Sequence, residues 1–130
     1  MNWKFAGDRP VYQQIMAAIR GAILKGELPP GGKVPSVRDL AAQAQVNPNT
    51  MQRALSELER DGLVYSQRTA GRFVTEDRTL IDEARRTLAE DHIQSFLTAM
   101  ERLGFEREEA LTLLRQEAEK EDQNHGSSGM

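Results

Sequence analysis

Side chains that can make directional hydrogen bonds are concentrated in one stretch of the sequence, VNPNTMQRALSELERDG at residues 46–62. Its polar positions include Asn47, Asn49, Thr50, Gln52 and Arg53. These are not the glutamates and lysines of an ordinary solvated helix face. The amides of asparagine and glutamine match the major-groove edge of adenine, and the guanidinium of arginine matches that of guanine. We therefore expect this group of side chains to recognise the edges of base pairs.

The apolar residues of the same stretch predict the helix that positions the polar ones. One helical stripe contains Met51, Ala54, Leu55 and Leu58. Asn47 is a good N-cap, and Pro48 suits the first helical position, where a missing N–H has no consequence. Gly62 can end the helix in the left-handed conformation. The polar side chains therefore lie on the face opposite the apolar stripe.

Two further helices are predicted before this one. The first spans residues 10–25, with an apolar stripe of Val11, Ile15, Ala18, Ile19, Ala22 and Ile23. The segment GELPPGGKVP is a loop by composition. A second helix begins at Ser36, whose hydroxyl can cap it, while Asp39 occupies the capping-box position. The next segment, QAQVNP, has the length of a helix-turn-helix corner.

A β-hairpin is predicted after Gly62. The segments LVYSQ and RFVT are rich in β-branched and aromatic residues, and they flank RTAG, where Gly71 can take the positive φ of a tight turn. Arg68 lies near the tip, and Arg72 follows just beyond it. Helix, helix, turn, helix and hairpin is the order of a winged helix-turn-helix module, whose recognition helix enters the major groove of DNA.

This arrangement predicts phosphate contacts at two other places. Ser36 and Arg38 lie at the start of the second helix, where free backbone N–H groups and the helix dipole favour an anion. The hairpin places Arg68, Gly71 and Arg72 on the DNA backbone or in the minor groove. The predicted DNA-binding residues are therefore Ser36, Arg38, Asn47, Asn49, Thr50, Gln52, Arg53, Arg68, Gly71 and Arg72.

The C-terminal part of the sequence returns to a helical pattern. One amphipathic helix runs from about Thr79 to Gly104, and another from about Glu106 to Lys120. The chain has no third layer to cover their apolar sides, so a partner subunit is expected to cover them. The predicted dimer contacts are Leu88, Ile93, Phe96, Leu97, Met100, Leu111 and Leu114.

Charge supports this division of the chain. Residues 1–76 carry ten Lys/Arg against seven Asp/Glu, a net charge of +3, whereas residues 77–130 carry seven against thirteen, a net charge of −6. We predict a mainly α fold with a small β-hairpin, in which a winged helix-turn-helix DNA-binding domain spans 1–76 and a short two-helix dimerisation domain spans 77–122. The last residues, 123–130 (QNHGSSGM), are predicted to be a disordered tail.

Several classes of protein are disfavoured by the residues present. The chain has no cysteine, which excludes disulfides, thiolate metal sites and cysteine nucleophiles. It shows no Ser/His/Asp set, Gly-rich phosphate loop or paired catalytic carboxylates, so we expect no enzyme, and we predict neither a cofactor nor a metal site. No apolar run approaches the ~20 residues that span a bilayer, and no signal peptide is recognisable. The prediction is a cytoplasmic protein without membrane contact.

The motifs at residues 10–75 resemble the DNA-binding domain of the GntR family of bacterial transcription regulators. They are PVYQQI, the Pro-Ser-x-Arg opening of the second helix, Asn-Pro-Asn-Thr, and the wing ending Gly-x-Phe-Val. Thr69 differs, because it stands where the wing commonly has the first glycine of Arg-Gly-x-Gly. On these motifs the resemblance implies that the DNA-facing residues include Arg38, Asn47, Asn49, Thr50, Arg53 and Gly71.

The C-terminal segment LGFEREEALTLLRQE is similar to the YtrA subfamily, whose reduced C-terminal domain serves dimerisation. That resemblance implies a dimeric repressor of double-stranded operator DNA, often encoded beside transporter genes. A two-fold homodimer should bind a pseudo-palindromic operator, because each recognition helix reads one half-site. The C-terminal part is too small to enclose a typical effector pocket of ~300 Å³ or more. An inducer between the subunits and control through a partner protein stay open, and the sequence does not identify a small-molecule effector.

Other roles are open for individual residues. Arg53 can instead pair with Glu57 four residues on. Arg38 can serve in a surface ion pair. Arg68 and Arg72 can be ordinary solvated residues of the hairpin tip.

Arg60, among acidic neighbours, is predicted to be a solvated ion-pair residue, and His92 to be packed or interfacial. Trp3 and Phe5 are expected to dock on the core or on the partner subunit. The alternative function is a winged-helix module that binds protein or RNA, which would predict an apolar or acidic face on the third helix.

Overall fold

A computed structural model describes Met1 and residues 3–128, with the side chains of that range up to Lys120. The elements in this part of the chain are α1 (Val11–Leu24), α2 (Val37–Ala44), α3 (Pro48–Arg60), β1 (Val64–Gln67), β2 (Gly71–Val74), α4 (Arg78–Arg102) and α5 (Arg107–Ser128). The two strands form one antiparallel hairpin. The predicted mainly α fold with a small β-hairpin is confirmed.

The apolar stripe of α1 forms one wall of the core. The buried residues on this helix include Ile15, Ile19, Ala22 and Ile23, none more than 1% exposed. Val11, predicted to belong to the same stripe, is 40% exposed, and Gln14 is buried in addition to the apolar residues. The stripe therefore starts one turn later than the periodicity predicts.

Gln14 is buried because the N-terminal segment folds back over the start of α1. Its side-chain Nε2 donates to the carbonyl oxygens of Ala6 (2.7 Å) and Arg9 (2.9 Å), and its Oε1 accepts from the N–H of Ala6 (2.6 Å). A buried amide is stable only when such partners satisfy it. The N-terminal segment is thus fixed to α1 by hydrogen bonds between its backbone and the Gln14 side chain.

Side-chain caps begin both helices of the helix-turn-helix corner, as predicted. Ser36 Oγ accepts from the N–H of Asp39 (3.1 Å), and Asn47 Oδ1 accepts from the N–H of Asn49 (2.8 Å). Gln45 closes α2 in the left-handed conformation, with φ of 57°. This turn brings the start of α3 directly after the end of α2.

The apolar stripe of α3 is completely buried. Met51, Ala54, Leu55 and Leu58 are each 0% exposed, and α3 packs against both α1 and α2. Burying a large apolar side chain contributes ~1.5–3 kcal/mol to stability, so the stripe fixes which face of α3 remains at the surface. Pro48 is the first residue of the helix, and Gly62 follows its end with φ of 85°.

The hairpin pairs Val64 with Val74 and Gln67 with Gly71. Both valines are buried and anchor the base of the hairpin to the core. The preceding loop adds a short edge to the sheet, because Lys33 forms a β-bridge with Phe73. The N–H of Val34 donates to Arg72 O (2.9 Å), and the N–H of Val74 donates to Gly32 O (2.9 Å). The segment that leads into α2 is therefore hydrogen-bonded to the hairpin.

The chain divides into two compact units, Met1–Arg86 and Thr87–Met130. The first unit extends beyond the predicted boundary at residue 76, because the start of α4 packs within it. Ile81 is 4% exposed, and Arg85 Nε donates to Leu24 O at the end of α1 (3.1 Å). The assignment of DNA binding to 1–76 and dimerisation to 77–122 stays a prediction.

The second unit contains the rest of α4 and all of α5. Gly104, with φ of 93°, lies between the two helices, and the N–H of Glu106 donates to Glu109 Oε1 (3.0 Å) at the start of α5. α5 continues to Ser128, where a disordered tail is predicted from residue 123. Each residue added to an existing helix gains a backbone hydrogen bond. The helix can therefore extend into a segment that has no apolar pattern of its own, and the sequence pattern does not predict such an extension. Residues 129 and 130 of that tail lie outside the described residues.

A search of the described helices finds none that is both apolar and long enough to cross a membrane.

Candidate nucleic-acid interface

The face of α3 opposite its buried stripe is open to solvent. Asn47, Asn49, Gln52 and Arg53 are exposed, and Thr50 is half-buried. The sequence pattern predicts this separation of polar and apolar sides, and the structure places all five predicted residues at the N-terminal end of α3. A helix that offers amides and a guanidinium at its N-terminal end has the chemistry to contact base edges.

Two of these side chains already make hydrogen bonds within the helix. Asn47 Oδ1 caps α3, so its amide nitrogen is the group left to donate outward. Gln52 Nε2 donates to Ser56 Oγ (3.0 Å) on the next turn. Both bonds are at the exposed surface and hold the amides in defined positions.

Arg53 makes a contact that sequence reasoning missed. Its guanidinium carbon Cζ lies 3.7 Å from the centroid of the Tyr12 ring, which belongs to α1. The alternative partner, Glu57, instead pairs through Oε1 with Arg60 Nη1 (3.5 Å). Arg60 is therefore the ion-pair residue that the sequence predicts. No local signal links residues 12 and 53, because they meet only when α1 packs on α3.

The start of α2 and the hairpin border one open groove. Four of the residues predicted to contact DNA line this groove, namely Ser36, Arg68, Gly71 and Arg72. Lys33 lines it as well. Arg38 is exposed on the first turn of α2 but does not line this groove. The groove thus combines a helix N-terminus with three cationic side chains, which is a setting that favours a phosphate.

The two hairpin arginines differ in their surroundings. Arg68 is exposed at the tip, as an ordinary solvated residue would be. Arg72 is half-buried, and its Nε is buried without a hydrogen-bond partner among the described residues. A buried guanidinium nitrogen without a partner is unfavourable, so Arg72 has an unused donor close to the groove.

Lys33 was missed because GGKVP has the composition of a loop and no periodicity. The β-bridge to Phe73 places Lys33 beside the hairpin, with its Cε 3.4 Å from the position that a Cβ on Gly71 would occupy. Gly71 itself has φ of 101°. Only glycine adopts this conformation without strain, so the predicted role of Gly71 in the tight turn is confirmed.

The predicted dimer contacts all lie in the second unit. Ile93, Leu111 and Leu114 are 55%, 42% and 49% exposed. The other predicted contacts are half-buried: Leu88, Phe96, Leu97 and Met100. A groove between α4 and α5 is lined in part by Leu97, Phe105 and Ala110. His92 is exposed, and the rings of Trp3 and Phe5 are half-buried with centroids 6.5 Å apart.

Comparison with known proteins identifies the class of regulator. The profile of the bacterial regulatory proteins of the gntR family matches residues 11–74, which are the three helices and the hairpin. YhcF of Bacillus subtilis, an uncharacterized HTH-type transcriptional regulator, is 40% identical over 111 residues, which cover 85% of this chain and 92% of YhcF. The chain belongs to the GntR family. This confirms the resemblance seen in the motifs.

Other GntR relatives agree with this assignment. The HTH-type transcriptional repressor YtrA of Bacillus subtilis is 35% identical over 100 residues, covering 76% of this chain and 77% of YtrA. A GntR family transcriptional regulator from Listeria monocytogenes has a similar structure, with a TM-score of 0.83, 34% identity, and coverage of 86% of this chain and 98% of that one. GntR proteins are DNA-binding regulators rather than enzymes, as the sequence predicts for this chain.

Some related structures contain DNA. The DNA-binding domain of AraR, in complex with operator ORX1, matches 55% of this GntR chain and 93% of its own chain, with 31% identity and a TM-score of 0.52. The match confirms the winged helix-turn-helix fold of the first unit.

Proposed function

We propose that this GntR regulator is a sequence-specific repressor that binds a pseudo-palindromic operator as a homodimer. The observation that carries the proposal is the exposed polar face at the N-terminal end of α3, above a stripe that is 0% exposed. Such a face has no role in the core. Its amides and guanidinium are matched in type to base edges in the major groove.

Base recognition falls to the side chains that α3 presents outward. Asn49, Gln52 and Arg53 are exposed on this face. Each bidentate pair between such a side chain and its base contributes ~1–3 kcal/mol of discrimination against a wrong base. Asn47 and Thr50, at the first turn, add contacts at the edge of the same site.

Phosphate contacts come from the flanking elements. Ser36 begins α2 and Arg38 lies on its first turn, where backbone N–H groups point outward. The hairpin contributes Arg68, Gly71 and Arg72 on the far side of the groove. These contacts fix the register of α3 on the duplex, whereas the base contacts specify the sequence.

The dimer follows from the exposed apolar residues of the second unit. Ile93, Leu111 and Leu114 are each more than two-fifths exposed in the single chain, and water contact with so much apolar surface is unfavourable. A second copy of the chain covers them in our proposal, and its recognition helix reads the other half-site. The likeness to the repressor YtrA supports repression, and the YtrA-subfamily resemblance adds a transporter operon as the expected target.

The test is a mobility-shift titration with DNA from the promoter of the chain's own gene. We expect Arg53→Ala to lose ~1–3 kcal/mol of binding free energy on the operator and to relax the preference at one base pair of each half-site. Arg60→Ala is the matched control, because Arg60 lies on the same helix, at its far end, and is paired with Glu57. It should bind like the wild type.

Two results would contradict the proposal. If Arg53→Ala bound the operator like the wild type, the polar face of α3 would not be the surface that reads the bases. Binding to single-stranded or double-stranded RNA in preference to operator DNA would favour the alternative, a winged-helix module for RNA. That alternative requires a different surface from the polar, arginine-bearing face of α3.

A further inference from the structure

The contact between Tyr12 and Arg53 joins the base-reading face to a different helix. Arg53 Cζ lies 3.7 Å from the centroid of the Tyr12 ring. This distance is well within the range of ~6 Å at which a guanidinium is attracted to the face of an aromatic ring. The arginine is exposed on α3, and the tyrosine is half-buried on the first turns of α1.

The part of α1 that carries Tyr12 is anchored to the core and to the N-terminal segment. Ile15 is 0% exposed, and Gln14 is buried with its amide bonded to the backbone of the N-terminal segment. α1 also packs along α3. The ring therefore extends from an anchored stretch of backbone, whereas Arg53 carries a long side chain that free solvent would leave in many rotamers.

In the part of the chain that the structure describes, no acidic group competes for the guanidinium. Glu57, one turn away, pairs with Arg60 at 3.5 Å. Among the residues that the structure describes, no carboxylate lies within ion-pair distance of Arg53, and no hydrogen bond of its guanidinium is seen. The stacking on Tyr12 is therefore what determines where the guanidinium lies before DNA binds.

We propose that Tyr12 is a positioning residue for sequence recognition, which holds the guanidinium of Arg53 in the orientation that pairs with guanine. The proposal rests on the proposed function. The contact with Tyr12 and base pairing are compatible, because the ring lies on one side of the guanidinium carbon, and the N–H donors directed away from the ring are left to pair with a base. A pre-oriented arginine loses less conformational freedom when it binds its base.

The size of the effect follows from the strength of such contacts. A cation–π contact of this kind corresponds to about a 2- to 30-fold change in affinity, the larger value applying when water is excluded. DNA binding excludes water from the contact, so the effect should be seen mainly on the cognate operator. Non-specific binding depends on phosphate contacts and should change little.

The experiment compares Tyr12→Leu, Tyr12→Phe and Tyr12→Trp in the full-length chain. Fluorescence anisotropy titrations use the operator, the same operator with each G·C pair replaced in turn, and unrelated DNA of equal length. Tyr12→Leu should lose about 2- to 30-fold on the operator and flatten the preference at the same base pair as Arg53→Ala. Tyr12→Phe and Tyr12→Trp keep an aromatic face and should retain that preference.

A double-mutant cycle assigns the effect to Arg53. Tyr12→Leu in the Arg53→Ala background should cause no further loss, because the guanidinium that the ring supports is absent. Additive losses would overturn the proposal. Thermal unfolding of each variant distinguishes a folding defect from a binding defect, and the retained preference of Tyr12→Trp provides a folded comparison.

The outcomes also separate this proposal from the proposed function. If Arg53→Ala is defective but Tyr12→Leu binds and discriminates like the wild type, the positioning role is wrong and operator recognition stands. If Tyr12→Leu and Tyr12→Phe both weaken binding to all sequences alike and lower the salt dependence, the hydroxyl contacts phosphate and the positioning role is wrong. If Arg53→Ala itself has no effect, both proposals fail together.

Discussion

Arg38 and Arg53 both present exposed guanidinium groups, but their surroundings predict different kinds of DNA contact. Arg53 lies on the polar face of α3 with its guanidinium carbon over the ring of Tyr12, and in our proposal this contact sets the direction of the guanidinium. Arg38 lies on the first turn of α2, beside backbone N–H groups, and no aromatic ring of the described residues contacts it. An oriented guanidinium suits a directional contact with a base, whereas a positive charge at the start of a helix suits a phosphate group.

Substitution of Arg38 should therefore weaken binding without changing sequence preference. We expect Arg38→Ala to reduce affinity for operator and unrelated DNA by a similar factor and to lower the slope of log K against log salt by ~1. The measurement is anisotropy at several salt concentrations on both DNAs. Arg115→Ala, an exposed arginine on α5, is the control and should behave as wild type. A loss confined to the operator would place Arg38 on a base instead.

At the scale of elements, two glycines of the first unit predict opposite changes in stability. Gly62 follows α3 with φ of 85°, a conformation in which a Cβ is strained, whereas Gly21 lies inside α1 with no atom within 4 Å of the position a Cβ would take. Gly62→Ala should lower the free energy of unfolding by ~1 kcal/mol, and Gly21→Ala should raise it by ~0.5–1 kcal/mol. Urea unfolding of the two variants measures both. Equal effects of the same sign would contradict the assigned backbone conformations.

The elements of the first unit could be predicted because local signals agree with the tertiary structure. Asn47 and Ser36 cap the helices that the sequence assigns to them, and the stripe from Met51 to Leu58 is buried as its period predicts. Gly71 takes the positive φ that the turn RTAG requires. Each of these features depends on residues only a few positions apart, so the sequence carries them directly.

The features that could not be predicted depend on distant parts of the chain. Lys33 lies in a loop by composition, and only pairing with Phe73 makes it part of the sheet. Gln14 is buried because the backbone at Ala6 folds over it. Tyr12 meets Arg53 through helix packing. None of these contacts leaves a periodic trace in the sequence, because hydrogen bonds and stacking across elements place no constraint on neighbouring residue types.

At the scale of the whole molecule, the exposed apolar residues of α4 and α5 predict a dimer. We expect Leu114→Glu, at a position 49% exposed in the single chain, to give monomers in sedimentation velocity while the chain stays folded. A charge placed in a covered apolar interface is costly, but at a solvated position it is harmless. Gln116→Glu, exposed on the same helix, adds the same charge and should leave the dimer intact.

Leu97→Glu should give the same result, although Leu97 also lines the groove between α4 and α5. Circular dichroism of this variant therefore accompanies the sedimentation run. A dimer that survives both leucine substitutions would show that the subunits pair through another surface. A monomer with Gln116→Glu as well would indicate a general effect of negative charge on the acidic C-terminal part.

The hydrogen bonds between the hairpin and the segment before α2 have a mechanical consequence. Val34 and Gly32 are hydrogen-bonded to the strand that carries Arg72. We therefore expect the hairpin and the start of α2 to move as one rigid unit. A rigid unit binds well only to duplexes whose phosphates already have the separation of its binding groups, or can adopt it at a small deformation energy. Base pairs that no side chain touches should then influence affinity through the flexibility and groove width of the DNA.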